Sequence, residues 1–240
     1  MPDLGHTELK RFAEADNLAK AAAADWWGTI SSSSSERSYC VALAGGRIAL
    51  NFFDAVVELA KGHEAALSFL HFFWGDERCV PPQSEESNFR LANEHLLKPL
   101  AIPANRIHRL RGEDEPAKAA AEAEAELRLW TRTNAAQQPI LDMVFLGMGE
   151  EGHVASLFPG ESEELMRSQS VYRPVMASKP PPQRITLGYP VLAAAQQVWV
   201  LASGAGKQSA LREALAPNGQ TPLGRVLRQR TRTVIYTDLL

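Results

Sequence analysis

Apolar residues along the chain follow two patterns, which alternate from one segment to the next. Short unbroken apolar runs predict buried strands, whereas apolar residues that recur every three or four positions predict helices with one buried face. The unbroken runs place strands over 38–46, 66–75, 139–149, 196–206 and 232–238, and they indicate a further strand and a strand-to-helix step within 170–195. The periodic stretches predict helices over 7–27, 47–62, 87–98, 115–133 and 207–216.

Several helix boundaries carry recognisable end signals. Ser87 is a candidate N-cap, and Pro116 suits the first turn of its helix. Gly62 ends the helix over 47–62, because glycine readily adopts the conformation that follows a last helical turn. The predicted buried face of that helix comprises Ile48, Phe52, Val56 and Leu59.

The alternation of strands and helices defines the predicted fold class. Strands that are apolar throughout are typical of a parallel sheet covered on both faces. We therefore predict an α/β fold with an open, mostly parallel, Rossmann-like sheet and helices on both faces. The chain has 240 residues, with no internal repeat and only a serine-rich turn over 31–37, so we predict a single domain over 1–240.

Composition and charge exclude several classes of function. The net charge is −3, which does not favour binding to nucleic acid through its phosphates. No apolar stretch approaches the roughly 20 residues that span a bilayer, and the charged N-terminal stretch does not resemble a signal peptide. Cys40 and Cys79 lie beside strand-like residues and are expected to be free thiols. These features predict a cytoplasmic protein with no membrane partner.

The loop that follows the strand over 139–149 holds the strongest candidate for catalysis. It reads GMGEEGH, and its histidine is His153. Histidine can accept a proton near neutral pH, and Glu151, two residues earlier, could hold the far imidazole nitrogen. Taken alone, the loop could also be a glycine-rich turn with a surface histidine.

Polar or glycine-rich loops follow three other predicted strands. In a parallel sheet the carboxyl ends of the strands lie on one rim, where ligands bind. Gly45, Gly46 and Arg47 precede a helix and offer backbone N–H groups to an anion, GDER follows the next strand, and Lys207 begins a helix after the sequence SGAG. Each loop alone is equally compatible with an ordinary turn, but four such loops on one rim favour a ligand site.

Two further segments contribute candidate charged groups. Asp76 and Arg78 follow an apolar strand and form either a solvated turn or the polar floor of a pocket. Arg78 can stabilise an oxyanion, phosphate or carboxylate, and Asp76 can hold Arg78 or a substrate hydroxyl. Arg184 follows three prolines that stiffen its approach, although it could be a surface charge at the start of a strand.

Motifs for metals, dinucleotides and serine nucleophiles are absent or weak. The remaining histidines have no partners at the spacing of metal ligands, so we predict neither a metal nor another cofactor. The GMGEEG stretch only superficially matches a dinucleotide-binding motif, because it lies in mid-chain and is followed by His153. Ser156 lies outside any nucleophile motif and is expected to cap a helix or to pack.

Two long blocks, WGDERCVPPQSEESNFRLANEHLL and LGMGEEGHVASLFPG, resemble the 6-phosphogluconolactonase family, within the group that includes glucosamine-6-phosphate isomerases. The stretches PPPQRITL and SGAGKQSAL resemble downstream elements of the same family, and the resemblance covers roughly 10–238. ASLFPG and DER favour the lactonase branch. The resemblance implies hydrolysis of 6-phospho-D-glucono-1,5-lactone in the oxidative pentose phosphate pathway.

The resemblance also implies roles for individual residues. His153 is the general base, Arg78 stabilises the oxyanion, and Glu151 orients His153. The phosphate is held by the Gly45–Arg47 turn together with Arg184 and Lys207, whereas Asp76 and Asn88 complete the substrate site. The implied partner is a phosphosugar lactone, bound by a monomer or weak homodimer.

The chain departs from the family pattern in two loops. The usual Ser-Gly-Gly-Ser-Thr-Pro becomes AGGRIA, so that two hydroxyl donors to the phosphate are lost and Arg47 can supply charge instead. Glu151 and Val154 replace the usual aspartate and threonine. Two alternatives to a lactonase remain open: a sugar-phosphate isomerase or deaminase, and a sugar-phosphate-binding protein without catalytic activity.

Overall fold

The computed structural model describes residues 6–32 and 37–239, and its centre is a six-stranded parallel sheet. The strands are β1 (His6–Arg11), β2 (Tyr39–Leu43), β3 (Leu70–Trp74), β5 (Met143–Gly147), β8 (Gln197–Ala202) and β9 (Arg232–Thr237). Their order across the sheet is β1-β9-β8-β5-β2-β3, and all neighbours run parallel. The predicted α/β fold with a mostly parallel sheet is confirmed.

Helices flank this sheet. They are α1 (Ala15–Ser31), α2 (Arg47–Ala60), α3 (Asn88–Ala92), α4 (Pro116–Trp130), α5 (Glu163–Met166), α6 (Tyr189–Ala194), α7 (Gln208–Ala214) and α8 (Pro222–Arg228). A π-helical turn over Asn93–Leu97 extends α3, and 3₁₀ turns cover Glu64–Leu67, Ala104–Arg106 and Ala205–Lys207. The end signals at α3 and α4 are confirmed, because the Ser87 side chain accepts the Arg90 N–H and Pro116 is in the first turn of α4.

The core lies between the sheet and its helices. Every residue of β2 and β3 is buried, which explains why these strands are apolar except for His71. The Trp26 ring of α1 packs edge-on against Phe145 of β5 at 5.3 Å between centroids, and Phe52 of α2 lies 4.6 Å from the same ring. Burying a side chain of this size contributes about 1.5–3 kcal/mol, so these contacts fix α1 and α2 on the sheet.

The predicted helix over 7–27 is wrong in its first third, where His6–Arg11 forms β1 at the edge of the sheet. Its charges meet residues distant in sequence: Glu8 pairs with Arg232 at 3.2 Å, and Lys10 pairs with Asp25 at 2.7 Å. Pairing with β9 therefore outweighs the local helical pattern. The helix itself begins at Ala15.

Leu59 of α2 is 38% exposed, because the last turn presents Ala60 to the core instead. The serine-rich turn over 31–37 lies mostly outside the described residues. Cys40 and Cys79 are both free thiols, as predicted. None of the helices in the described ranges is long and apolar enough to cross a membrane.

A second sheet lies beside the carboxyl end of β3, and the sequence did not reveal it. It consists of β4 (Asp76–Arg78), β7 (Gln183–Leu187) and β6 (Tyr172–Met176), paired antiparallel in that order. Of the two alternatives for 76–78, the solvated turn is wrong, since Asp76 and Glu77 are buried in a strand and Asp76 lines a cavity. The register places Arg78 opposite Arg184, which brings two distant segments together.

Candidate active site

A cavity of about 740 Å³ lies at the carboxyl ends of the parallel strands. The strand order reverses between β2 and β5, because the chain passes from β2 to β3 on one side while β5 lies on the other. Such a switch point is where open α/β sheets bind ligands. Seven of the residues predicted for the site line this cavity: Gly45, Gly46, Arg47, Asp76, Asn88, His153 and Lys207.

The loop that carries His153 is tightly folded on itself. The Gly149 N–H donates to the His153 carbonyl at 2.9 Å, and the Gly152 N–H donates to the Gly149 carbonyl at 3.1 Å. Gly152 has a φ of +80°, and an added Cβ there would lie 2.7 Å from the Thr221 side chain. The glycines of this loop therefore serve its backbone path and its packing, and they bring His153 back to the cavity wall.

The imidazole of His153 lies in a partly apolar environment. Its Nδ1 is 3.3 Å from Glu151 Oε1 but is not hydrogen-bonded, and its ring is 4.9 Å from the Phe158 ring. Burial lowers the pKa of His153, as does Arg184, while Glu151 and Asp76 oppose the shift. The net lowering favours the neutral imidazole at pH 7, which is the form that can accept a proton.

Asp76 lines the cavity and is held there by a buried hydrogen-bond network. Ser156 Oγ donates to Asp76 Oδ2 at 2.6 Å, and Asn88 Nδ2 donates to the Asp76 carbonyl at 2.9 Å and to Oδ1 at 3.3 Å. An added Cβ on Gly45 would lie 1.8 Å from Asn88 Oδ1, so Gly45 makes room for this amide. Asp76 therefore bonds to Ser156 and Asn88, and its expected role of holding Arg78 is not seen.

Ser156 and Glu77 are structural residues: Ser156 was expected to cap a helix or to pack, and Glu77 had no predicted role. Ser156 is fully buried and connects the His153 loop to Asp76. Glu77 accepts the N–H groups of Arg78, Asn88 and Phe89 at 2.7–2.8 Å and the Ser87 hydroxyl at 3.0 Å. Burial raises the pKa of Glu77 despite these donors. No local pattern marks either residue, because Glu77 is 10 positions from the N-cap Ser87 and Ser156 is 80 positions from Asp76.

Positive charge at one end of the cavity comes from Lys207 and Arg47. Both residues line the cavity, Arg47 at the start of α2 and Lys207 in the turn before α7. Burial lowers the pKa of Lys207, as does the nearby Arg47, whereas Glu150 and Asp238 oppose the shift. Gly46, which precedes Arg47, has a φ of +91° and is exposed, so the α2 N-terminus opens onto the cavity. This end is suited to an anionic group.

Arg78 and Arg184 lie beside the cavity without lining it. Arg78 Nη1 donates to the Glu86 carbonyl at 2.6 Å, and Arg184 Nε donates to the Pro181 carbonyl at 3.1 Å. The Arg184 guanidinium lies over the Phe158 ring at 5.6 Å. Burial lowers the pKa of Arg184, and Arg78 lowers it further, while Asp76 is among the acids that oppose the shift. The two guanidiniums thus lie on the Asp76 and His153 side of the site.

Glu151 also lies outside the cavity wall, because it flanks the Nδ1 side of the imidazole. Because Nδ1 has no hydrogen-bond partner among the described residues, Glu151 does not fix the tautomer of the neutral ring, although it is close enough to pair with a protonated one. The structure thus brings together seven of the ten predicted residues around the cavity and leaves Arg78, Glu151 and Arg184 behind it. Within the described residues, no three histidine, cysteine or acidic side chains are arranged to hold a metal.

Known proteins match this chain over nearly its full length. The family model for glucosamine-6-phosphate isomerases/6-phosphogluconolactonase matches residues 13–235. A 6-phosphogluconolactonase of Mycobacterium tuberculosis is 32% identical over 97% of this chain and 96% of its own length. One of Streptomyces coelicolor is 34% identical over 92% of this chain and 88% of its own length.

Solved structures match the fold equally well. The devB protein superposes with a TM-score of 0.87 at 28% identity, covering 97% of this chain and 98% of its own. A 6-phosphogluconolactonase from Trypanosoma brucei superposes with a TM-score of 0.84 at 27% identity, covering 97% of this chain and 96% of its own.

Proposed function

We propose, from the premise that this chain belongs to the family of glucosamine-6-phosphate isomerases and 6-phosphogluconolactonases, that it hydrolyses 6-phospho-D-glucono-1,5-lactone to 6-phospho-D-gluconate. The lactonase relatives cover almost the whole chain, and the reaction is a step of the oxidative pentose phosphate pathway. The observation that carries the proposal is the shared cavity, which His153 lines together with Arg47 and Lys207.

His153 acts as the general base in this reaction. The neutral imidazole removes a proton from water while the water oxygen forms a bond to the lactone carbonyl carbon. The tetrahedral intermediate then breaks its bond to the ring oxygen, and His153 returns the proton to that oxygen. General base catalysis of this kind contributes on the order of 10²–10⁴-fold, which suits an ester that is already reactive.

Arg78 and Arg184 stabilise the negative charge that develops on the carbonyl oxygen. Arg184 was first expected at the phosphate, but its position opposite Arg78 supports a role at the lactone end. Both guanidiniums act through their charge on the His153 side of the cavity, where water is partly excluded and electrostatic interactions are stronger. Glu151 complements this arrangement by stabilising the imidazolium that forms when His153 takes up its proton.

The phosphate is bound at the opposite, cationic end. Lys207 and Arg47 supply charge, and the Gly45–Gly46 turn supplies backbone N–H groups at the start of α2. Asp76 and Asn88 bind sugar hydroxyls between the two ends. Fixing the phosphate places the carbonyl beside His153, so that binding energy from a remote group contributes to catalysis through orientation.

Two other functions of the site predict different outcomes in an activity assay. A sugar-phosphate isomerase or deaminase is favoured by its inclusion in the same family model, and it would release ammonia from glucosamine 6-phosphate. A binding protein without activity is motivated by the altered AGGRIA loop, and it would bind phosphosugars without turnover.

The proposal is tested by acid release from freshly generated 6-phosphogluconolactone, corrected for spontaneous opening of the ring. We expect acid release well above the spontaneous rate and no ammonia from glucosamine 6-phosphate. Tight phosphosugar binding with no acceleration of ring opening would contradict the lactonase proposal.

Sedimentation of the same preparations would test the further prediction of a monomer or weak homodimer. A cytoplasmic location also stays a prediction.

A further inference from the structure

The turn that carries Lys207 is held by hydrogen bonds to Asp238, the residue that follows β9. Ser203 Oγ donates to Asp238 Oδ2 at 2.7 Å, and the Gly204 N–H approaches Asp238 Oδ1 at 3.4 Å. Ser203 and Gly204 line the cavity, whereas Asp238 does not. The carboxylate therefore holds one wall of the cavity from behind.

The same chain segment also fastens the far side of the turn. Gln208 Nε2 donates to the Leu239 carbonyl at 2.7 Å, and the Lys207 N–H donates to the Gly204 carbonyl at 3.0 Å. Gly204 has a φ of +107°, a conformation that side chains rarely adopt. Hydrogen bonds to Asp238 and Leu239 therefore flank Lys207 on both sides.

Three charged groups on three different elements face Lys207. Arg47 at the start of α2 repels it, while Glu150 of the His153 loop and Asp238 after β9 attract it. None of the carboxylates in the described residues lies within 4.0 Å of its ammonium group. Lys207 is thus supported in its charged form by acids that leave the ammonium group available for a ligand.

We propose that Asp238 is a positioning residue for phosphate recognition, which holds the Ser203–Lys207 turn and supports the charge of Lys207 from outside the cavity. The inference rests on the proposed function, in which Lys207 binds the phosphate of the substrate. Asp238 acts through Lys207 and makes no contact with the ligand. Its removal therefore affects phosphorylated ligands selectively.

The test is Asp238→Asn, which removes the charge and keeps the size of the side chain. Losing a charged hydrogen-bond acceptor is expected to lower kcat/KM for the phosphorylated lactone by about tenfold. The inhibition constant of inorganic phosphate rises in parallel, while kcat/KM for unphosphorylated glucono-1,5-lactone changes by less than about twofold. The selective loss deepens as pH rises, because Lys207 in the variant loses its proton at lower pH.

A matched control is Glu213→Gln, which removes an exposed carboxylate from α7 and is expected to leave both lactones and phosphate inhibition unchanged. Should Asp238→Asn fail to fold, Ser203→Ala removes the 2.7 Å bond alone and is expected to give a smaller loss of the same selectivity. Equal loss on both lactones, or no loss on either, overturns the proposal. Lys207→Ala tests the role of Lys207 separately from that of Asp238. If this variant keeps its preference for the phosphorylated lactone, Lys207 does not bind the phosphate, and the proposed role of Lys207 fails as well.

Discussion

The imidazole of His153 occupies the space in which a side chain on Gly149 would lie. A Cβ added to Gly149 would be 2.0 Å from His153 Cε1 and 2.1 Å from Nδ1. Contacts this short cannot persist, so the absence of a side chain at Gly149 determines where the imidazole can be. No positive φ is involved, and the requirement for glycine here is purely one of space.

Gly149→Ala is therefore expected to displace the imidazole while leaving the fold intact. A shift on the order of 1 Å in a catalytic group can reduce turnover about 100-fold, and we expect a loss of that size in kcat. The control is Gly28→Ala, whose Cβ would meet nothing within 4 Å in α1 and which should stabilise the protein by about 0.5–1 kcal/mol. Full activity in Gly149→Ala would show that the imidazole position is unimportant.

His153→Ala tests the proposed general base directly. We expect kcat to fall by about 10²–10⁴-fold with little change in KM, because the phosphate contacts remain. In the unsubstituted protein, the acid limb of kcat/KM should lie below pH 6.5, since the pKa of His153 is lowered by burial. His63→Ala, at an exposed position, should leave the profile unchanged; a variant of His153 with normal turnover would remove it from the mechanism.

Arg47→Ala tests whether this arginine replaces the hydroxyl groups lost from the phosphate loop. Losing a charged contact to phosphate should raise KM for the phosphorylated lactone by about tenfold, and the effect should weaken at high salt because Arg47 is exposed. Arg47→Ser restores a hydroxyl group and should recover part of the loss. Arg212→Ala, an exposed arginine of α7, is the charge-matched control, and an equal effect there would point to general electrostatics.

Protonation of His71 is expected to destabilise the folded protein in acid. Its Nδ1 lies 2.9 Å from His108 Nε2, and His108 Nδ1 lies 2.8 Å from Glu126 Oε1. Burial, together with His108 and Arg106, lowers the pKa of His71 from 6.5 to about 4, while Glu126 opposes the shift. Between these values the unfolded chain binds a proton that the native protein does not.

The free energy of unfolding should therefore decrease as pH falls from 6.5 to about 4, and this contribution should level off below that range. Urea titrations at several pH values measure the slope, and His71→Gln should make it shallower. An unchanged slope in that variant would assign the acid sensitivity to other groups, of which His108, also with a lowered pKa, is the nearest.

The buried strands were predictable because their burial is visible in the sequence itself. β2, β3, β5 and β8 are covered on both faces, so nearly every residue is apolar, and the loops after them had to meet on one rim. β1 could not be recognised in this way, since its polar sequence satisfies a helical pattern and its pairing depends on β9.

The charged side of the site was less accessible to sequence reasoning. The position of Arg184 follows from its register opposite Arg78, a pairing across 106 positions that no local pattern encodes. Ser156 presents the same difficulty, because its partner Asp76 is 80 positions away. His153 and Lys207 were predictable because their loops follow buried strands and resemble motifs of the family, and both residues line the cavity.

The pairing of β1 with β9 has a consequence for biosynthesis. β1 (His6–Arg11) precedes β9 (Arg232–Thr237) in the chain, so β1 cannot form this pairing until β9 has also been synthesised. A hydrophobic strand exposed for that interval would favour aggregation, whereas the polar and charged sequence HTELKR remains hydrated. The polar sequence that makes β1 resemble a helix thus also limits its aggregation during synthesis.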